Sequence, residues 1–176
     1  MNTNLFIREF IDDDSVIVSN IIRENLINVN IKDYPEKIIK NMSKIFTSEY
    51  ISLISKVRKV YVLVESNKII GTASLDQDTI YTVFIDIRHH NKGFGRILID
   101  FIERKALDSG ITSLKLPSSI TAQGFYEKLG YHALEVIESE DYGRDIIMIK
   151  NFKRELGHEE LFKETTNKDF GSNSVE

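Results

Sequence analysis

Seven consecutive residues, His90-Asn91-Lys92-Gly93-Phe94-Gly95-Arg96, combine groups that can bind a phosphate. Two glycines let an anion approach the backbone without meeting a Cβ. Lys92 and Arg96 add positive charge. Directly behind them Phe94, Ile97, Leu98, Phe101 and Ile102 recur at three- and four-residue spacing, which predicts a helix opening at the glycines. The first N–H groups of a helix lack internal partners and its dipole makes that end positive, so such an end binds phosphate. The same turn also suits a plain strand-to-helix joint, and on the turn alone both readings stand. It is not a dinucleotide fingerprint, which needs a third glycine and an acidic residue about twenty positions on. Nor is it a P-loop, because Gly-Lys-Ser/Thr is missing.

Other reactive residue types are scattered. Tyr126 shares a predicted helix face with Ala122, Phe125 and Leu129, an apolar pattern that on its own reads as core rather than as a site. Tyr81, Thr82 and Asp86 are the polar residues on and after the strand that precedes the glycine turn. His89 and His90 adjoin that turn, His132 begins a strand and His158 lies near the C-terminus. No pair has ligand spacing with a third ligand, so no metal is expected. Asp12-Asp13-Asp14 reads as helix capping rather than an ion site, since no calcium-loop spacing follows.

The elements that must position these residues follow in order. Leu5–Phe10 predicts a strand, and Val18, Ile21, Ile22 and Leu26 a helix. Asp33-Tyr34-Pro35-Glu36 starts a second helical region carrying Ile38, Ile39, Met42, Ile45 and Phe46. Ile51, Ile54 and Val57 continue it after a break at Thr47-Ser48-Glu49. Val60–Glu65, apolar almost throughout, predicts a strand buried on both faces. With Ile69–Leu75 and the strand around Ile80, Val83, Phe84 and Ile85 it forms an antiparallel meander. After the central helix, Leu114-Lys115-Leu116 predicts a short strand ended by Pro117. A helix connects it to the previous strand, so the two are expected to be parallel neighbours that part at their C-terminal ends. Ser118-Ser119 is expected to cap a late helix. Tyr131–Glu138 and Asp145–Lys150 form a last strand pair joined by a loop from Ser139 to Arg144. Residues 153–176 are expected to be a partly flexible tail, with one short helix marked by Leu156, Leu161 and Phe162.

The whole chain, 176 residues, fits one domain able to bury a core. With 41% hydrophobic and 28% charged residues it has an ordinary globular composition. A net charge of −4 with no basic block disfavours non-specific nucleic-acid binding. The absence of cysteine excludes disulfides and thiolate nucleophiles. Charges fall too early for a secretory leader and no run approaches a membrane span, so a cytoplasmic protein without membrane partners is expected.

Two motifs together resemble the GNAT superfamily of acyl-CoA-dependent N-acetyltransferases. Ile85-Asp86-Ile87-Arg88-His89-His90-Asn91-Lys92-Gly93-Phe94-Gly95 is similar to the family's strand, turn and pyrophosphate loop. Ser119-Ile120-Thr121-Ala122-Gln123-Gly124-Phe125-Tyr126-Glu127-Lys128-Leu129-Gly130-Tyr131 is similar to its late helix. His90 stands where Arg or Gln is usual, Asn91 where Gly is, Ile87 where a proline is common, and Ser119 where an asparagine is. The likeness covers roughly residues 5–150, and its closest tone is that of a bacterial branch. It implies a mixed α/β, mostly antiparallel sheet of about six or seven strands flanked by helices, with one splayed parallel pair, within residues 1–152. It implies that acetyl-CoA lies along Ile85, Asp86 and Ile87, with the pyrophosphate on His90, Asn91, Lys92, Gly93, Phe94, Gly95 and Arg96 and a contact from Ser119. It implies direct attack by a primary amine, from a small molecule or a peptide, in a ternary complex. Tyr126 would then serve the departing thiolate as acid or hydrogen-bond donor, and Tyr81, or water, would take the amine's proton. A non-catalytic acyl-CoA-binding sensor on the same fold is the alternative. A monomer or homodimer is expected.

Overall fold

A computed structural model of the chain describes residues 4–152. The expected tail at 153–176, with its short helix, lies outside the described residues. Seven strands form one sheet in the order β1-β2-β3-β4-β5-β7-β6. The chain enters on β1 (Leu5–Glu9) and passes through α1 (Ser15–Asn28), α2 (Glu36–Ile45) and α3 (Ser48–Ile54). The meander β2 (Lys59–Glu65), β3 (Lys68–Asp76) and β4 (Thr79–Ile85) follows. Then come α4 (Phe94–Asp108), β5 (Ser113–Ser118), α5 (Gln123–Lys128) and the hairpin of β6 (His132–Ser139) and β7 (Gly143–Asn151). Neighbouring strands are antiparallel except β4 and β5, which α4 connects as a parallel pair. This is the mixed sheet with one parallel pair that the sequence predicts. No helix among the described residues is long and apolar enough to cross a membrane.

The centre of the sheet is covered on both faces, and β2 shows why. Its side chains alternate. Tyr61 and Leu63 join the core under α4, with Leu98, Ile102 and Met148. Val62 and Val64 join the core under α1–α3, with Ile22, Leu26 and Ile51. The α4 face is rotated from the one the spacing predicts: Leu98, Ile99, Ile102 and Ala106 are fully buried, whereas Ile97 is 38% exposed.

Four local expectations change. Asp14 does not cap α1 with its side chain. It accepts two hydrogen bonds from the Arg8 guanidinium, at 2.6 and 2.8 Å, and one from the Ile11 N–H, fixing β1 to the start of α1. Pro117 does not end β5, which runs on to Ser118 opposite Ile146. The Lys115 N–H points to β4, donating to the Asp78 carbonyl, and two residues on the Pro117 nitrogen faces the same side. β4 has left that side, so the missing N–H costs no ladder bond. Ser119 caps a single turn, its Oγ accepting from the Ala122 N–H at 3.3 Å, and α5 begins only at Gln123. The final hairpin closes further, pairing Ser139 with Gly143.

Candidate active site

β4 and β5 are in register at one pair, Thr79 and Lys115. Beyond it they part, because β4 bends. Thr82 has φ +51°, and the β3–β4 register slips between Thr72 and Ser74, placing an extra residue on β4. Such a bulge re-aims a strand. A β-branched residue resists positive φ, and here the Thr82 hydroxyl is held 2.8 Å from Ser74 Oγ. At the end of β4, the Asp86 N–H donates to Ile70 on β3, so the pleat turns the Ile85 main chain toward the gap. The Ile85 carbonyl already accepts from Asn25 Nδ2 at 2.8 Å, and His90 Nε2 lies 2.9 Å away on the same oxygen. Any partner entering the gap at this point therefore meets the Ile85 N–H rather than its carbonyl.

The loop after β4 is held by Asp86, which is 4% exposed. Its carboxylate accepts from the Arg88 N–H and Nε, both at 2.9 Å, and from Arg88 Nη2 at 2.5 Å. The Arg88 guanidinium holds this carboxyl well below its ordinary value, at about 2. The side chain of Asp86 is thus an anchor for the loop. Asn91 (φ +60°) and Gly93 (φ +84°) make the two left-handed steps that bring the chain into α4. Asn tolerates that region, and Gly93 has open space where a Cβ would stand. The six amides from Asn91 to Arg96 make no hydrogen bond to a described backbone group. They surround the positive end of a fifteen-residue helix. Lys92 and Arg96 are exposed beside it, and Arg96 Nε lies 3.6 Å from Asp100. Gly95 serves a different purpose from Gly93. A Cβ there would sit 3.2 Å from the Phe125 ring, so this glycine lets α5 close against the start of α4.

Past the bulge lies a cleft of about 560 Å³ between β4, β5, β7 and the α1–α3 layer. Tyr81 and Tyr126 both line it, and so does Ser119. Tyr126 is 6% exposed, and its ring stands edge-on to Phe125 (5.0 Å) and Tyr131 (6.1 Å). Burial pushes its phenol well above the ordinary value, so the hydroxyl stays protonated. The Tyr81 ring lies under the Arg58 guanidinium at 4.6 Å. Opposite, Tyr34 donates a hydrogen bond to Asp145. Burial raises the Asp145 carboxyl, and the Tyr34 bond offsets part of that shift. The same burial, with the adjoining carboxylate, raises the Tyr34 phenol. Among the described residues there is no group of three or more His, Asp or Glu side chains placed to hold a metal.

The structure therefore gathers Tyr81, Tyr126 and Ser119 around one cleft and the residues from Ile85 to Arg96 along its approach. Sequence reasoning missed Tyr34, Arg58 and Asp145. Asp33-Tyr34-Pro35 reads as a helix start and as part of the likeness to a bacterial branch, and no local pattern links Tyr34 to a residue 111 positions away.

The family model described as the acetyltransferase (GNAT) domain matches residues 30–152. A candidate acetyltransferase of Bacillus subtilis (strain 168) is 46% identical over 39 residues, which is 22% of this chain and 26% of that protein. The match thus spans about a quarter of that relative's length. A GCN5-related N-acetyltransferase structure from Rhodopseudomonas palustris superposes with a TM-score of 0.78 at 19% identity, covering 86% of this chain and 99% of that one. The PaiA N-acetyltransferase of Thermoplasma acidophilum, solved with coenzyme A, gives 0.68 at 18% identity, covering 85% and 99%. These two likenesses are of fold; with a family model matched over most of the described residues, the chain belongs to the GNAT acetyltransferase family.

Proposed function

We propose that the protein transfers an acetyl group from acetyl-CoA to a primary amine by direct attack in a ternary complex. One observation carries this: a strand gap that opens at one end on free helix N-terminal amides and at the other on a tyrosine-lined cleft. Six amides without a hydrogen-bond partner among the described residues, with the exposed Lys92 and Arg96, suit a pyrophosphate. The Ile85 N–H suits a carbonyl of the pantetheine arm, which would add to β4 as a strand would. The thioester would then reach the bulge at Thr82, between Tyr81 and Tyr126.

The amine must first lose its ammonium proton, to ordered water directly or through the Tyr81 hydroxyl, which would release its own proton to water as it accepts this one. The nitrogen then attacks the thioester carbonyl, and the C–N bond forms as the C–S bond breaks. The second amine proton ends on sulfur, leaving an amide and a free thiol. Tyr126 meets the sulfur. A phenol raised by burial does not give up its proton to a thiolate, whose ordinary value is near 8.5, so its contribution is a hydrogen bond to the developing charge. The test is thiol release from acetyl-CoA across a panel of amines, beside acetyl-CoA binding. Amine-dependent release with an acetylated product supports transfer. Binding without turnover on any amine makes the protein a non-catalytic acyl-CoA sensor instead.

A further inference from the structure

The acceptor end of the cleft carries two charged side chains among the described residues, Arg58 and Asp145. They do not pair with each other, and neither has an ion-pair partner among the described residues. Arg58 leaves the turn after α3, and its guanidinium carbon lies over the Tyr81 ring, 4.6 Å from the centroid. Its Nε is buried without a hydrogen-bond partner. A guanidinium held over an aromatic ring still has N–H donors with which to bind an anion. Asp145 comes from β7, on the other wall, and holds one hydrogen bond from Tyr34. A carboxylate accepts several hydrogen bonds, so it retains capacity for a donor. Its neighbour Gly143 (φ +76°) is where the ring of Tyr34 packs, 2.8 Å from where a Cβ would stand, which presses that ring onto β7. The remaining walls include Phe46, Tyr50, Phe84 and Tyr142.

From this arrangement we infer that the acceptor is an amine that also carries a carboxylate, an amino acid with an apolar or aromatic body, its ammonium directed to Asp145 and its carboxylate to Arg58. One cation and one anion, unpaired with each other in a cleft whose other described lining side chains are uncharged, complement a zwitterion. A polycation would leave Arg58 opposing it and only one carboxylate to balance several charges. A phosphate dianion would require more positive charge than a single guanidinium, and no lysine or histidine lines the cleft among the described residues. Asp145 and Tyr34 reach the ammonium from the side of Tyr126, where the thioester is proposed to lie. Asp145 holds and orients the amine; Arg58 selects by the carboxylate.

This inference rests on the acetyl-transfer reading, and the experiment separates the two. Wild-type protein is assayed with matched acceptors: phenylalanine and its carboxamide, an ω-amino acid and its carboxamide, and spermidine as a polycation. The free acids should exceed their carboxamides in kcat/KM by about 10- to 100-fold, the worth of one charge-assisted bond. In Arg58→Gln the acid-to-amide ratio should fall to near one, the loss appearing in KM. Arg58→Lys should restore part of it. Asp145→Asn, which keeps an acceptor for Tyr34, should raise KM for acids and amides alike. A wild-type preference for spermidine or for the carboxamides, or an acid-to-amide ratio unmoved by Arg58→Gln, would overturn the acceptor assignment while leaving acetyl transfer intact. Absence of thiol release with every amine would overturn both. A melt of each variant shows that a lost ratio is not lost folding.

Discussion

Replacing Tyr126 with Phe removes one oxygen from the proposed reaction centre and nothing from the core. The ring is 6% exposed and packs edge-on to Phe125 and Tyr131, contacts the phenyl group keeps. Taking an apolar group in place of a buried hydroxyl that has no described partner is close to neutral for stability. The melting temperature should therefore move by no more than about 2–4 °C, the shift expected for 1 kcal/mol in a chain of this size. The rate should not be neutral. Positioned proton donors contribute about 10²- to 10⁴-fold. Tyr126 belongs at the low end, because its raised phenol donates a hydrogen bond without transferring the proton and a thiolate is already a fair leaving group. A drop of about 10²-fold in kcat, with acetyl-CoA affinity unchanged, is the expected result in steady-state kinetics beside calorimetry. Full kcat in Tyr126→Phe would refute the reasoning and leave Tyr126 as a core residue.

Three further outcomes follow from the loop. Gly95→Asp brings a charge to the proposed pyrophosphate site; at an effective dielectric near 20 the repulsion is about 4 kcal/mol at contact distance, so calorimetry should show acetyl-CoA affinity falling about 10²- to 10³-fold, and unchanged affinity would remove the site. The new Cβ meets Phe125, a ring already 36% exposed that can turn outward, so circular dichroism should report a folded protein. Gly93→Ala has room for its methyl but not for φ +84°, and strain of about 1–2 kcal/mol should lower the melting temperature by about 2–8 °C. Asp86 titrates at about 2 when folded against 3.8 for the free group, so it binds its proton more weakly in the native state; its stabilisation is present above pH 4 and lost as pH falls from 4 to 2. Urea melts across that window should show a flatter acid limb in Asp86→Asn than in wild type.

The parts of the fold legible in the sequence are those set by local periodicity. Leu98 and Ile102 mark a helix whose buried face the spacing nearly locates, and the apolar run of β2 announces burial on two sides. The glycine turn is legible because Gly93 answers a backbone need, φ +84°, that few other residues meet. The packing role of Gly95 is not legible in the sequence, since only the packed structure shows Phe125 against it. Pro117 looked like a terminator because its missing N–H is costly wherever a ladder exists, and local sequence does not reveal that β4 has already turned away. The bulge at Thr82 leaves no signature; a β-branched residue is a poor candidate for positive φ, and cross-strand contact with Ser74 holds it there. Tyr34, Arg58 and Asp145 come from three distant parts of the chain to line one cleft, so that cleft belongs to tertiary structure alone.

Backbone hydrogen exchange with and without acetyl-CoA tests the proposed acyl-CoA site most directly, because it reads the amides themselves. Ligand binding should slow exchange at Ile85 and at the amides from Asn91 to Arg96, the groups left without described backbone partners at the start of α4. The outer strand β6 should be unaffected. Acetyl-CoA binding that leaves these amides unchanged, or that protects a different surface, would contradict the account.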